Sequence, residues 1–123
     1  MRIVLDAMGS DDYPVPDVAG GVLAAREWPE DHVILVGQAD AISEQLRGVD
    51  TKGLNLEIVD APEVIEMDDE PAWAAREKKA SSMHVGMGLV RDGEADAFVS
   101  AGNTGGVLAV ATLHMLQRIR GVK

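Results

Sequence analysis

The residues best able to do chemistry gather at three turns. The first is Ser100-Ala101-Gly102-Asn103-Thr104-Gly105-Gly106. Glycines let a backbone approach a ligand closely and adopt positive φ. Ser100, Asn103 and Thr104 add side-chain donors. A helix opening at this point would add unsatisfied N–H groups and a partial positive charge. Together these can cradle a phosphate or a developing oxyanion. The same residues also describe an ordinary capped helix start, with Asn103 or Thr104 as the cap and the glycines making the turn, and the residues alone do not separate the two readings. There is no G-x-x-x-x-G-K-[ST], so hydrolysis of a nucleoside triphosphate has no support.

The second turn is Asp6-Ala7-Met8-Gly9-Ser10-Asp11-Asp12. Gly9 and Ser10 can present backbone donors to a ligand, and Asp6 and Asp11 can orient a cationic side chain or a metal. The plainer account is a polar turn leading into a helix at Pro14 or Pro16, and carboxylates at this spacing do not define a metal site. The third place is Arg76-Glu77-Lys78-Lys79-Ala80-Ser81-Ser82-Met83, a basic cluster in an acidic chain. Arg76 and Lys79 are spaced to share a helical face. Ser81 or Ser82 can cap the helix that follows, so Lys79, Ser81 and Ser82 can meet an anion. Here the plainer account is a solvated face and a common cap. His32, His84 and His114 lack ligand spacing, Met83 and Met87 read as core, and G-x-S-x-G is absent.

These turns must be positioned by regular elements, and the pattern supplies them. Residues 2–7, 32–36, 54–59 and 96–99 read as strands. Helices are expected from Pro16 to about Glu27, over 39–47, from Pro71 across Trp73–Lys79, over 81–92 with Gly93 as the stop, and over Thr104–Arg120. The last is apolar nearly all round and is expected to be largely buried. The acidic run Glu63–Glu70 reads as a solvated loop whose charge favours the next helix start. This β-α-β-α rhythm predicts a parallel sheet with helices on both faces, and ligands at the carboxyl ends of its strands.

Composition narrows the function further. The 123 residues carry 11 Lys+Arg against 21 Asp+Glu, a net charge of −10, which disfavours a nucleic-acid surface. Cysteine is absent, so disulfides, thiolate zinc and a thiol nucleophile are excluded. Residues 1–6 run straight through an apolar strand to Asp6, unlike a signal peptide, and no apolar stretch approaches the ~20 residues of a bilayer span. A cytoplasmic location is expected. The apolar terminal helix before Gly121-Val122-Lys123 suggests the front of a larger sheet, so residues 1–123 are expected to be the N-terminal part of one α/β domain.

In this order, Met1–Gly9 (MRIVLDAMG), Glu63–Glu70 (EVIEMDDE), Arg76–Met83 (REKKASSM) and Ala95–Gly105 (ADAFVSAGNTG) resemble the N-terminal part of the PlsX-type phosphate acyltransferases of bacterial phospholipid synthesis. The resemblance spans nearly the whole chain. It implies conversion of acyl-[acyl carrier protein] and inorganic phosphate to acyl phosphate and free carrier protein. It also implies a three-layer α/β/α Rossmann-like sandwich similar to isocitrate and isopropylmalate dehydrogenases, a homodimer, no cofactor and no metal. Membrane contact, if the whole protein makes it peripherally, would come through parts absent here. Carried onto this chain, the resemblance makes Asn103 and Thr104 candidate catalytic residues. Asp6, Gly9, Ser10, Lys79, Ser81, Ser82, Ser100, Gly102, Asn103, Thr104 and Gly105 become candidate phosphate contacts, and Lys78 with Lys79 candidates for meeting the acidic carrier.

Four positions depart from the family pattern. Ser10 stands where a second glycine is usual, Asp12-Tyr13 replaces His-Ala, Ala80 takes the place of an aspartate, and Gly106 that of an alanine. Members of the family are also much longer, so the 123 residues alone are expected to be inactive. Two other readings fit the residues: a phosphotransacetylase-like enzyme using acyl-coenzyme A, and a non-catalytic module binding a partner through the 104–120 helix. Thioester preference separates the first, and blindness to phosphate would favour the second. A nicotinamide dehydrogenase is disfavoured, because no G-x-G-x-x-G follows the first strand.

Overall fold

In the computed structural model, which describes residues 1–121, nine elements follow one another. They are β1 (Arg2–Asp6), α1 (Val15–Glu27), β2 (His32–Gly37), α2 (Ala39–Leu46), β3 (Leu56–Asp60), α3 (Pro71–Glu77), α4 (Ser82–Arg91), β4 (Ala97–Val99) and α5 (Thr104–Arg120). Val122 and Lys123, where the sequence stops, lie outside the described residues. The strands form one parallel sheet in the order β3-β2-β1-β4. Every expected strand and helix is present, with ends shifted by a few residues.

Side-chain alternation along the strands sorts the core into two faces. Val33 and Leu35 of β2 join Val18, Val22 and Ala25 of α1 and Ile42 of α2 on one side. Val4 of β1 and Ile34 and Val36 of β2 point the other way and pack with Val85 and Leu89 of α4. Gly86 brings α4 close to the sheet, because a Cβ there would sit 2.6 Å from the Phe98 ring and 2.9 Å from a Val4 methyl. Helices therefore cover both faces, as the rhythm predicts.

The terminal helix departs from expectation. Only Gly106, Val110 and His114 of α5 are buried, while Leu108 and Ile119 are 69% and 80% exposed. The reason is its neighbours: α5 packs chiefly on α3 and α4 rather than on the sheet. Two short helices cover one stripe of a 17-residue rod and leave the opposite stripe in solvent. The 63–70 run also differs from a solvated loop. Val64 is buried and Ile65 is buried against Met83 and Val110, while Met67, Asp68 and Glu70 face water.

Two glycine substitutions should move stability in opposite directions. Gly86→Ala forces a methyl into the Phe98 and Val4 side chains and should cost about 1–3 kcal/mol. Gly20→Ala, mid-helix with nothing within 4 Å of the new methyl, should add about 0.5–1 kcal/mol through helix propensity. Urea denaturation midpoints check both, and equal shifts of the same sign would refute the packing assigned to α4.

Candidate functional site

At the carboxyl ends of β1 and β4 the first and last turns meet. The alternation that sends Val4 toward α4 sends Asp6 there too, and this carboxylate is 1% exposed. Its Oδ1 accepts from the Met8 amide at 2.9 Å and the Ser82 hydroxyl at 2.6 Å, and its Oδ2 accepts from the Ser100 hydroxyl at 2.7 Å. Ser100 Oγ in turn accepts from the Gly102 amide at 3.0 Å. Burial pushes the Asp6 carboxyl above the usual range, opposed by these hydrogen bonds and reinforced by the nearby Asp17 charge. Behind Ser82, Ser81 caps α4 by accepting from the His84 amide at 3.2 Å.

The two turns touch through their glycines. A Cβ on Gly9 would lie 2.8 Å from the Gly102 nitrogen, and one on Gly102 would lie 3.3 Å from Gly9 Cα. Both positions need glycine for this approach. The Gly9 and Ser10 amides donate to Asp17 Oδ2 at 3.1 and 3.0 Å, and the Ser10 hydroxyl donates to Asp17 Oδ1. The Ser10 side chain therefore turns to α1. The sequence reading missed Asp17, although an acid in the first turn of the helix after a glycine loop is the signal that could have found it.

Asn103 is 8% exposed and fully engaged. Its Oδ1 caps α5 by accepting from the Gly106 amide at 3.0 Å. Its Nδ2 donates to the carbonyls of Glu66 at 3.1 Å and Asp69 at 2.9 Å. One side chain thus starts a helix and pins the 66–69 loop beside it. Gly105 packs so closely on Pro71 that a Cβ would sit 2.6 Å from the ring. The Glu70 carboxylate caps α3 by accepting from the Ala72 and Trp73 amides. What remains for a ligand at the start of α5 is the exposed Thr104 and the amides of Thr104 and Gly105, which have no acceptor among the described residues.

The two lysines separate. Lys78 Nζ donates to Asp69 Oδ2 at 2.6 Å and to the Val64 carbonyl at 2.8 Å, and this ammonium holds the Asp69 carboxyl below the usual carboxylate range. Lys79 is exposed and lines a cleft between α3, α4 and α5. The structure therefore gathers Asp6, Gly9, Ser82, Ser100, Gly102, Asn103, Thr104 and Gly105, with Ser10 and Ser81 just behind, and leaves Lys79 apart. Among the described residues no three His, Asp or Glu side chains could hold a metal ion, and no helix is long and apolar enough to cross a membrane.

Comparison with known proteins covers the same ground. Residues 1–123 match the model of a family described as fatty acid synthesis protein. The chain is 54% identical over its whole length to a phosphate acyltransferase of Herpetosiphon aurantiacus, covering 33% of that protein. It is 50% identical over 114 residues, 92% of its length, to a phosphate acyltransferase of Koribacter versatilis, covering 32% of that protein. It is 48% identical over its whole length to one of Myxococcus xanthus, covering 34%. The chain spans about a third of the length of these curated relatives.

The buried carboxylate makes a signed prediction. A raised Asp6 means the folded chain holds that proton above 3.8, so its contribution to stability falls as pH rises through the folded-state pKa. Asp6→Asn cannot titrate. The stability of parent minus variant should therefore decrease as pH rises from about 4 and then level off, by about 1.4 kcal/mol for each unit of upward shift. Asp69, held below 3.8, stays ionised across that window. Denaturation curves at several pH values check this, and a gap that widens with pH would contradict it.

Proposed function

The chain belongs to the fatty acid synthesis protein family, the family of the phosphate acyltransferases, and on that premise we propose that it carries the phosphate-gripping turn of an enzyme converting acyl-[acyl carrier protein] and inorganic phosphate to acyl phosphate and free carrier protein. The observation that carries the reading is the start of α5. Two amides, Thr104 and Gly105, open a 17-residue helix beside an exposed hydroxyl, and no acceptor among the described residues takes them. A helix N-terminus of this kind favours an anion through its free N–H groups and its dipole. In a chain with a net charge of −10, such local donors are what let a small dianion bind against the overall field.

The chemistry asks for positioning rather than for an enzyme nucleophile. A phosphate oxygen attacks the thioester carbonyl carbon, and a tetrahedral oxyanion forms. The C–S bond then breaks, and the proton of hydrogen phosphate ends on the carrier thiol. Holding phosphate beside the carbonyl supplies effective concentration. Amide donors aimed at the developing charge supply stabilisation that is stronger in the transition state than in the ground state. Thr104 and Gly105 are the groups placed to touch phosphate. Ser100, Asn103 and Asp6 act through them as positioning residues, because their polar atoms are engaged with protein. With this reading go the whole-protein properties that the family resemblance implies: a homodimer in the cytoplasm and the three-layer sandwich of the isocitrate dehydrogenases.

Thr104→Pro tests the donor directly. Proline is tolerated at the first helical position, and the preceding Asn103 already has φ −54° and ψ 111°, a conformation compatible with a following proline. The substitution removes one amide and the hydroxyl while leaving the helix. In the parent chain, titration with inorganic phosphate should shift the amide resonances of residues 101–106. In the variant, phosphate affinity should fall about tenfold or more, in line with about 1.5–3 kcal/mol for a hydrogen bond to a charged group. Phosphate shifts absent from this turn in the parent would end the reading.

A further inference from the structure

A second feature lies along α5 from the phosphate turn. Between α3, α4 and α5 is a cleft of about 690 Å³, walled by Arg76, Lys79 and Arg91 against a single acid, Asp92. Two cations in excess is a local reversal of sign in a chain whose net charge is −10. Lys79 has no ion-pair partner among the described residues, and the one ion pair of Arg76 is with the neighbouring Glu77, at 4.0 Å and exposed, with a weaker influence on the Glu70 carboxylate. Arg2, Arg47 and Lys78, by contrast, each hold a carboxylate at 2.9 Å or less.

The floor of the cleft fixes Arg91 and is itself uncharged. Arg91 Nη1 donates to His114 Nδ1 and to Gln117 Oε1, both at 3.0 Å. A guanidinium can only donate, so His114 Nδ1 accepts and the ring proton sits on Nε2. That Nε2–H donates to His84 Nδ1 at 2.9 Å, and His84 Nε2–H donates to the Ala75 carbonyl at 2.7 Å. Every ring nitrogen is satisfied with both histidines neutral. Burial, followed by the adjacent His84 ring and the Arg91 guanidinium, pushes His114 down to about 4, and burial lowers His84 as well. Arg91 Nε and Nη2 also donate to the Asp92 carboxylate at 3.0 and 3.2 Å, so the surplus charge at neutral pH belongs to Arg76 and Lys79.

We propose that this cleft and its rim are the docking surface for an acidic protein partner, the carrier that delivers the acyl group; the proposal rests on the function given above. Two further observations favour it. The uncommitted cations sit at the mouth, where a partner's carboxylates can reach them. The buried pair of histidines orients Arg91 without competing for an anion. His114 also lies ten residues along α5 from Thr104, a rise of about 15 Å. A carrier seated there stands back from the phosphate turn. That suits a substrate whose thioester travels on a flexible arm, because the protein body then does not cover the reacting phosphate. Complementary charge at such a surface sets encounter rate and orientation.

The test uses the 123-residue chain and a labelled bacterial acyl carrier protein, followed by fluorescence anisotropy. Binding should weaken several-fold as salt rises from about 50 to about 200 mM. The exposed pair Arg76→Glu with Lys79→Glu should weaken it at least tenfold, with an unchanged circular dichroism spectrum. Lys52→Glu, in the loop before β3, should leave it within twofold. Carrier binding that is absent in the parent, undiminished in the double variant, or equally lost with Lys52→Glu overturns the proposal. So does displacement of the carrier by millimolar inorganic phosphate, which would make the cleft a small-anion site. Phosphate titration of residues 101–106, run on the same samples, keeps the two ideas apart. Intact phosphate shifts without carrier docking sink the cleft alone. Docking at the cleft without phosphate shifts sinks the phosphate turn and leaves the docking surface standing.

Discussion

A carboxylate that is 1% exposed is the constraint on which the site depends. Removing an ionised Asp6 from water costs several kcal/mol unless donors replace the lost hydration. The three donors come from three separate segments: the Met8 amide from its own turn, the Ser82 hydroxyl from the first turn of α4, and the Ser100 hydroxyl from the turn after β4. None can move alone without leaving a buried charge short of a partner. The ends of β1 and β4 and the start of α4 are thereby fixed relative to one another. The near contact of Gly9 with Gly102 follows from that arrangement and would be closed to any larger residue.

The same logic runs outward. Asp17 takes the Gly9 and Ser10 amides, and Asn103 joins the start of α5 to the 66–69 carbonyls. The side chains of Asp6, Ser10, Ser82, Ser100 and Asn103 are therefore engaged with protein. What they leave unpaired at the start of α5 is the amides of Thr104 and Gly105, beside the exposed Thr104 side chain. A site made of amides has a physical advantage for holding an oxyanion: its donors cannot rotate away, and their positions are set by the fold. The weakness of such a site is that it needs every surrounding turn in place, and the inward polar contacts meet that need.

Much of this was legible in the sequence and some was not, for physical reasons. Runs such as HVILV and a β-α rhythm specify a parallel sheet, and a parallel sheet puts its ligand-facing turns after its strands. That is why the turns at residues 6–12 and 100–106 could be picked out. Residue type narrows the caps to Asn103 or Thr104 and to Ser81 or Ser82, and packing selects Asn103 and Ser81. Spacing cannot reveal the contacts closed only by tertiary packing. Ser82 and Ser100 meet Asp6 across 76 and 94 residues, and His84 meets His114 across 30. The solvent-facing stripe of α5 was hidden for a related reason. An all-round apolar pattern reports what a helix can bury, whereas the burial it achieves depends on how much its neighbours cover.

The adjacent lysines show how finely position divides similar residues. Lys78 is the C-cap of α3 and is drawn inward to Asp69 and the Val64 carbonyl, with its ammonium 5.8 Å from the Trp73 ring centre. Its charge is neutralised in holding the 64–69 loop against α3. Lys79, one residue further, has left the helix and stands at the cleft mouth. An acidic chain that handles anions must confine its attraction to chosen places, since a diffuse positive surface would bind any polyanion. Here Arg2, Arg47 and Lys78 are each paired with a carboxylate, while Arg76 and Lys79 stand exposed at one opening. The small-anion donors at α5 are uncharged amides. The unpaired amides at the start of α5 and the exposed cations after α3 are thus two different kinds of donor, set in a chain whose net charge is −10.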